Sequence, residues 1–269
     1  MPDPATHNAF YNDASVYDVL HTPGTAEELD GLERAALRHV ATRSRRQRWL
    51  EPACGSGRCV RLAAARGTPI TGFDLNPEMI AYARARLKRA GLDRLARVYA
   101  ADMRTFADEG VCEPASIDFA FNTINTFRHL MTDVDALAHL DQVHRVLRPG
   151  GVYAVGLSTC LYGCEQPTED VWSARRGSLG VTQTVQYIPA TGRRGGARVE
   201  RVLSHLMIET PAGTDHRDST YRLRTYSLEQ WTDLIGRSGF DMIDTADHEG
   251  RTMDPTESGY RLYILGKPC

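Results

Sequence analysis

Three acids stand at places where an alternating strand and helix pattern leaves its carboxyl ends open. Glu51 lies in the apolar run "WLEP", Asp74 ends "PITGFD", and Asp102 follows "RVYAA"; the loop Pro52-Ala53-Cys54-Gly55-Ser56-Gly57 follows the first. A glycine turn between a strand and a helix exposes backbone amides to a ligand, because no side chain blocks the approach. The dinucleotide fingerprint requires a third glycine where this chain has Val60, and the phosphate loop requires a Lys-Ser or Lys-Thr pair that is absent. A carboxylate at Glu51 repels a diphosphate but attracts a ligand carrying an ammonium and a sulfonium. The pattern therefore favours a cationic nucleoside. Asp74 is placed to accept from both ribose hydroxyls, and Asp102 from an adenine amino group beside the Met103 amide. Any one of these acids alone is equally a solvated cap at a strand end.

The elements that must position these groups follow from periodicity. From Trp49 to about Leu157 apolar runs alternate with helical patterns, which predicts parallel strands joined by crossover helices. Asn76 caps one helix, Pro77 starts it and Gly91 stops it, with Ile80, Ala83 and Leu87 along one stripe. A second helix is expected through Leu137, Leu140, His144 and Leu147, before Pro149-Gly150-Gly151 turns the chain into "VYAVGL". Ahead of the sheet, Thr25 and Glu28 form a capping box for a helix with Leu29, Leu32, Ala36 and Val40 on its face. Beyond Leu157, "VTQTVQYI" and "RVERVLSHLMIE" alternate with period two and predict an antiparallel hairpin, with a third strand near "STYRLRTY". Ser227 and Gln230 cap a last helix, apolar at Leu228, Trp231, Leu234 and Ile235, and "FDMIDTADHE" and "YRLYILGK" close as strands.

Composition bounds the function. With 42% hydrophobic and 25% charged residues in 269, the chain can bury one sizeable core. Its net charge of −2 offers no global basic field to nucleic acid or to an anionic membrane. The N-terminus lacks the basic-then-apolar order of a secretory signal, and no apolar run approaches the roughly 18 residues of a membrane span. A cytoplasmic protein is expected, with its six cysteines as thiols. Cys160 and Cys164 are close, but no histidine or further cysteine sits near them, so no metal is expected.

Taken in order, the motifs resemble those of the class I S-adenosylmethionine-dependent methyltransferases. "LEPACGSGR" is similar to their first motif, "FDLNPEMIAYAR" to the ribose-binding strand and following helix, "AADMRTF" to the adenine motif, and "FAFNTINTFRHL" and "VLRPGGVYAV" to strands four and five. The resemblance covers roughly Arg48 to Leu157 and implies a Rossmann-like α/β fold, a mostly parallel seven-stranded sheet with a small antiparallel insertion after strand five. It implies S-adenosyl-L-methionine as cofactor and S-adenosyl-L-homocysteine as product. Glu51 and Ala53 would hold the amino acid end, Gly55 and Gly57 would let the chain pass close, and Asp74 and Leu75 would hold the ribose. Asp102 and Met103 would hold the adenine, with Met79 in the same cofactor site, and Asn122 and Thr123 would line the methionine side. Ala53 replaces the glycine usual at its position, which suits a residue that offers only its carbonyl. The expected organisation is a lid over 1–24, a cofactor-binding core over 25–158, an insertion over 159–226 forming the acceptor pocket or a homodimer contact, and a completing segment over 227–269.

The residues after strand four narrow the acceptor. "NTINTF" lacks the paired prolines of many nucleic acid amino methyltransferases, which leaves a small-molecule methyl acceptor. The segment "FYNDASVYDVLH" resembles the tyrosine-rich entry of the glycine and aminosugar N-methyltransferases, and Tyr11 and Tyr17 carry that match. A phenol there binds a carboxylate or faces a sulfonium, an attraction of about 0.5 to 2 kcal/mol; equally, both rings pack the segment onto the core. Methyl transfer is an in-line displacement in which positioning does most of the work, yet an amine or hydroxyl must still lose a proton. His129 is the candidate base and Tyr11 a second catalytic candidate; Arg128, His129 and Trp172 are expected on the acceptor side. Arg128 either meets an acidic acceptor or is a solvated surface group. N-methylation leads over O-methylation of a hydroxyl or carboxyl. A nicotinamide dehydrogenase is disfavoured by Glu51 and Val60, and a non-catalytic cofactor-binding module stays open.

Overall fold

The alternation that begins at Trp49 closes into a seven-stranded sheet. The computed structural model describes residues 13–41, 46–191, 197–254 and 259–268. In chain order, α1 (Ala14–His21) and α2 (Thr25–His39) precede β1 (Trp49–Pro52), α3 (Arg58–Ala65), β2 (Ile70–Asp74), α4 (Pro77–Arg89), β3 (Ala96–Ala100), β4 (Ile117–Asn122), α5 (Asp133–Val146) and β5 (Leu147–Thr159). Four strands then intervene: β6 (Thr168–Arg176), β7 (Leu179–Ile188), β8 (Val199–Thr210) and β9 (Gly213–Arg224). The chain returns through α6 (Leu228–Gly236) to β10 (Asp241–Ala246) and β11 (Gly259–Gly266).

The large sheet runs β10-β11-β5-β4-β1-β2-β3, and β11 is antiparallel to both neighbours while the rest are parallel. Strand order reverses between β1 and β4, so the crevice at their carboxyl ends is where such a sheet binds ligands. One face is packed by α5 and α6 through Leu140, Val143, Trp231 and Leu234, the other by α2, α3 and α4 through Leu32, Val60, Ile80 and Leu87. Trp231 is fully buried and meets Phe127 edge-on at 5.2 Å, an arrangement worth about 0.5–1.5 kcal/mol beyond its area. That contact anchors the segment after β4. Among the described residues no helix is long and apolar enough to cross a membrane, and no cluster of three metal-binding side chains occurs.

Local chemistry explains most boundaries. The Asn76 side chain accepts from the Glu78 and Met79 amides, and Ser227 with Gln230 forms a reciprocal capping box. Three expectations fail. The α2 N-cap is Gly24, at φ +78 and without a side-chain cap, because Thr25 turns its hydroxyl to the Thr22 carbonyl and Glu28 pairs with Arg58. The buried face of α5 is Ala136, His139, Leu140 and Val143 rather than a stripe through Leu137 and His144. β5 begins at Leu147, so Pro149-Gly150-Gly151 lies inside the strand, where the β4 register shifts.

The insertion is a four-stranded antiparallel sheet, β6-β7-β8-β9. β7 and β8 are the expected hairpin and β9 is the third strand, extended backward to Gly213; β6 is an additional edge strand. Val16, Val19 and Leu20 of α1 pack on Val181, Leu206 and Ile208, so the N-terminal helix and this sheet share one apolar cluster.

Candidate active site

The carboxyl ends of β1, β2 and β3 and the inner face of the small sheet enclose a cleft of about 1490 Å³. Its parallel-sheet wall includes Ala53, Gly55, Asp74, Leu75, Met79, Asp102 and Met103. Ala53 and Gly55 both hold left-handed backbone, φ +51 and +53, which bends the loop so that its groups face the cleft. Gly57, φ +71, does not reach the wall: a β-carbon there would lie 3.1 Å from Ala83 Cβ, so it permits close packing of α3 on α4. Asp74 accepts from the Gly55 amide at 2.8 Å and from the Asn76 amide at 2.8 Å, tying loop to strand. Burial raises its carboxyl above the ordinary value, although those amides oppose the shift. Asp102 is held below its ordinary value by the Arg104 side chain, which forks onto its carboxylate at 2.6 and 3.0 Å. The Met103 carbonyl accepts from His139 Nδ1 at 3.0 Å, so Nε2 is the acceptor for the Tyr153 hydroxyl at 2.8 Å.

Behind the loop are two acceptors without a partner among the described residues, Glu51 Oε2 and Asn122 Oδ1. Neither residue lines the cleft. Burial pushes the Glu51 carboxyl up to about 8, with Arg58 opposing and Glu28 and Asp74 reinforcing the shift. Asn122 donates to the Pro52 carbonyl at 2.9 Å and so braces the loop. Thr123 is also behind the wall; Ile124, Asn125 and Thr126 line it instead. Ile124 and Asn125 are left-handed at φ +49 and +62, unusual for a β-branched residue. The Tyr260 hydroxyl accepts from the Ile124 amide and Asn125 accepts from the Ser158 amide, holding that bend.

The opposite wall is supplied by α1, the turn after β4 and the small sheet. Tyr17 covers Gly55 closely enough that a β-carbon there would lie 3.2 Å from its Cε1. Its helix is latched by Asp18, fully buried, which accepts from Ser56 of the loop, Tyr82 of α4 and Arg176 of β6 at 2.9, 2.9 and 2.7 Å. Burial alone would raise that carboxyl, but Arg61, Arg176, Ser56 and Tyr82 outweigh it and hold it below its ordinary value. Tyr11 lies outside the described residues. His129 lines the cleft, stacked on Tyr221 at 6.0 Å, and burial with the neighbouring Arg128 lowers its ring to about 4. Trp172, 40% exposed, faces the same space. Arg128 does not: it is buried, donating to the Arg224 carbonyl at 2.8 Å and pairing with Glu200 at 2.6 Å, which overturns both its expected placements.

Several wall residues escaped sequence reasoning. Arg58, directly after the glycine turn, is buried between Glu28 and the loop and is the only lysine or arginine in the described wall. Its position at the first turn of α3 was the available signal. Asp170, Tyr187 and Tyr221 come from three different strands, and only the register of the small sheet brings them together.

Residues 50–151 match a methyltransferase domain family. Over 93% of this chain and 94% of its own length, a putative methyltransferase, YqeM, of Bacillus subtilis is 22% identical. Among solved structures, an S-adenosylmethionine-dependent methyltransferase from Clostridium acetobutylicum aligns with a TM-score of 0.73 at 13% identity, covering 97% of this chain and 100% of the other. The sugar N-methyltransferase KedS8 from Streptoalloteichus aligns at 0.69 and 18% identity, covering 95% and 92% of the two chains. The fold is that of the S-adenosylmethionine-dependent methyltransferases with which the chain aligns. The protein is an S-adenosylmethionine-dependent methyltransferase.

Proposed function

We propose that the chain N-methylates an amine carried by a small molecule. The observation that carries this is the charge of the cleft: among the described residues Glu28, Asp74, Glu78, Asp102 and Asp170 line it, Arg58 pairs with Glu28 and Arg104 with Asp102, and Asp74, Glu78 and Asp170 have no ion-pair partner. His21 and His129 add no positive charge at neutral pH, because burial lowers them to about 3 and about 4. A wall of that sign draws in a cationic or neutral acceptor and disfavours a carboxylate. The volume supports two ligands, since about 1490 Å³ exceeds the roughly 300–1,000 Å³ of a typical single-ligand pocket.

The residues present fit the cofactor. Glu51 Oε2, buried behind the loop and without a partner among the described residues, is a fitting acceptor for an ammonium, and Arg58 supplies a buried cation for a carboxylate. Asp74, Leu75 and Met79 would hold the ribose side, Asp102 and Met103 the adenine. When bound, S-adenosylmethionine supplies a methyl group on an already activated sulfonium leaving group. The chain's own contribution is then positional. Asp170 attracts an acceptor ammonium, Trp172, Tyr187 and Tyr221 wall its apolar body, and the uncharged His129 ring accepts a hydrogen bond from the attacking nitrogen. A ring lowered to about 4 is a weak base for an alcohol, which favours an amine whose proton leaves to water. Tyr17 and α1 close the loop against solvent, and the insertion serves as the acceptor pocket.

Sugar and glycopeptide N-methyltransferases among the structural neighbours support the same chemistry. The test is release of S-adenosylhomocysteine across matched amines, alcohols and carboxylic acids. Turnover of amines, reduced by Asp170→Asn without loss of cofactor affinity, is expected. Turnover confined to alcohols or acids overturns the assignment, and tight cofactor binding with no turnover makes the chain a binding module.

A further inference from the structure

A second cleft, of about 350 Å³, opens at the amino-terminal edge of the parallel sheet, the end opposite the catalytic cleft. Its floor is Trp49, Ile70 and Ile117, at or near the first residues of β1, β2 and β4. Its rim is four arginines: Arg46 and Arg48 ahead of β1, Arg94 ahead of β3 and Arg97 within it. No carboxylate lines this cleft among the described residues. Arg48, Arg94 and Arg97 make no hydrogen bond or ion pair through their guanidinium groups among those residues.

Several arginines elsewhere are engaged instead. Arg66, Arg104, Arg145, Arg176 and Arg224 are each paired with an aspartate. The acid nearest by sequence pairing, Asp118 of β4, is fully buried and already engaged, one oxygen with Arg148 at 2.8 Å and the other with the Arg48 amide at 2.8 Å. Like charges gathered at one concave site repel, and a bound anion relieves that repulsion. Guanidinium forks match the oxygens of phosphate groups, singly or in pairs.

We infer that this cleft is a binding site for a small phosphate-bearing anion, distinct from the cofactor site. A compact ligand is favoured over a nucleic acid strand. The rim is concave rather than a track, the chain's net charge is −2, and the aromatic residue on the floor, Trp49, is only 3% exposed and so offers no face for base stacking. The diphosphate group is the preferred chemistry, because it presents enough oxygens for more than one guanidinium at once. It comes either free or carried on a nucleotide.

The test is calorimetric titration of the full chain at low ionic strength, saturated beforehand with S-adenosylhomocysteine so that nucleotides cannot occupy the cofactor subsite. Orthophosphate, pyrophosphate and ADP are the probes. Saturable binding of pyrophosphate, tighter than orthophosphate and weakened by added salt, is expected; ADP binding more tightly than pyrophosphate identifies a nucleotide source, and equal or weaker ADP binding a free anion. The double variant Arg94→Gln/Arg97→Gln loses roughly tenfold or more in pyrophosphate affinity, as charge-assisted hydrogen bonds are removed, while S-adenosylhomocysteine affinity is unchanged. Both substituted side chains are exposed, so folding is retained. Absence of saturable binding, or equal binding by the variant, overturns the inference. Tighter binding of a single-stranded RNA than of pyrophosphate overturns it as well.

Discussion

On the parallel-sheet side of the cleft, ligand-facing groups sit where chain reversals put them. Ala53 and Gly55 follow β1, Asp74 ends β2, and Asp102 lies two residues after β3. On the other side the wall is Asp170, Trp172, Tyr187 and Tyr221, side chains from β6, β7 and β9 that meet only through pairings such as Asp170 with Val185 and Val202 with Tyr221. The first wall is fixed by backbone geometry and tolerates little change. The second is a set of side chains on a regular surface, and its residues can be exchanged without disturbing the ladder. On the proposed function this implies a division of labour: damage to the first wall is expected to weaken cofactor binding, and damage to the second to alter the acceptor.

The largest effect is expected where the two walls are tied together. Asp18 joins the glycine loop, α4 and β6 through one buried carboxylate, and deleting it strands Arg176 and Arg61 beside a cavity. Breaking such a buried charge network costs about 3–5 kcal/mol. Asp18→Ala should lower the unfolding free energy by that order in denaturant titration, with amide exchange faster in both α1 and β6. Exchange faster in α1 alone would show that the helix and the small sheet are not one unit.

Gly55→Val attacks only the first wall. The position needs φ +53, and the new side chain starts 3.2 Å from Tyr17. Cofactor affinity by calorimetry should fall more than about a hundredfold, roughly 2.7 kcal/mol. Retained affinity would remove the loop from the site. Asp74→Ala is milder, since Leu75 and Met79 remain: loss of a charged partner to the ribose should cost about 1.5–3 kcal/mol in the same measurement. A change within twofold would break the ribose assignment.

The same asymmetry explains what the sequence disclosed. Asn76, Pro77 and the Ser227 to Gln230 box act within a few residues, so their helices are legible, as are the acids at strand ends. The Thr25 and Glu28 pattern satisfies the same rule and fails, because Arg58, 30 positions further on, takes the Glu28 carboxylate. The expectation for Arg128 fails for the same reason: its partner Glu200 is 72 residues away. β6 is invisible in the sequence because nearly every residue of this edge strand is exposed, which erases the period-two signal. The left-handed pair Ile124 and Asn125 carries no glycine to announce it.

The smallest effect concerns His129, and it separates positioning from acid-base catalysis. Its ring is lowered to about 4 by burial and then by Arg128, so it is neutral through the physiological range. Because the folded value lies below the unfolded one near 6.5, the unfolded chain takes up this proton first. Its contribution to stability is therefore complete above pH 6.5 and is lost as pH falls toward 4. Activity should follow the same ring: no limb near 6.5 assignable to His129, and protonation of the ring only near 4. His129→Asn keeps a neutral hydrogen-bonding group and should lower kcat about fivefold, the worth of one hydrogen bond near 1 kcal/mol, while the profile between pH 6 and 8 keeps its shape. A general base would instead account for a loss of about a hundredfold or more, with a limb that vanishes in the variant. That result would move His129 from a group that orients the acceptor nitrogen to one that takes its proton, and the second wall would then carry chemistry as well as recognition.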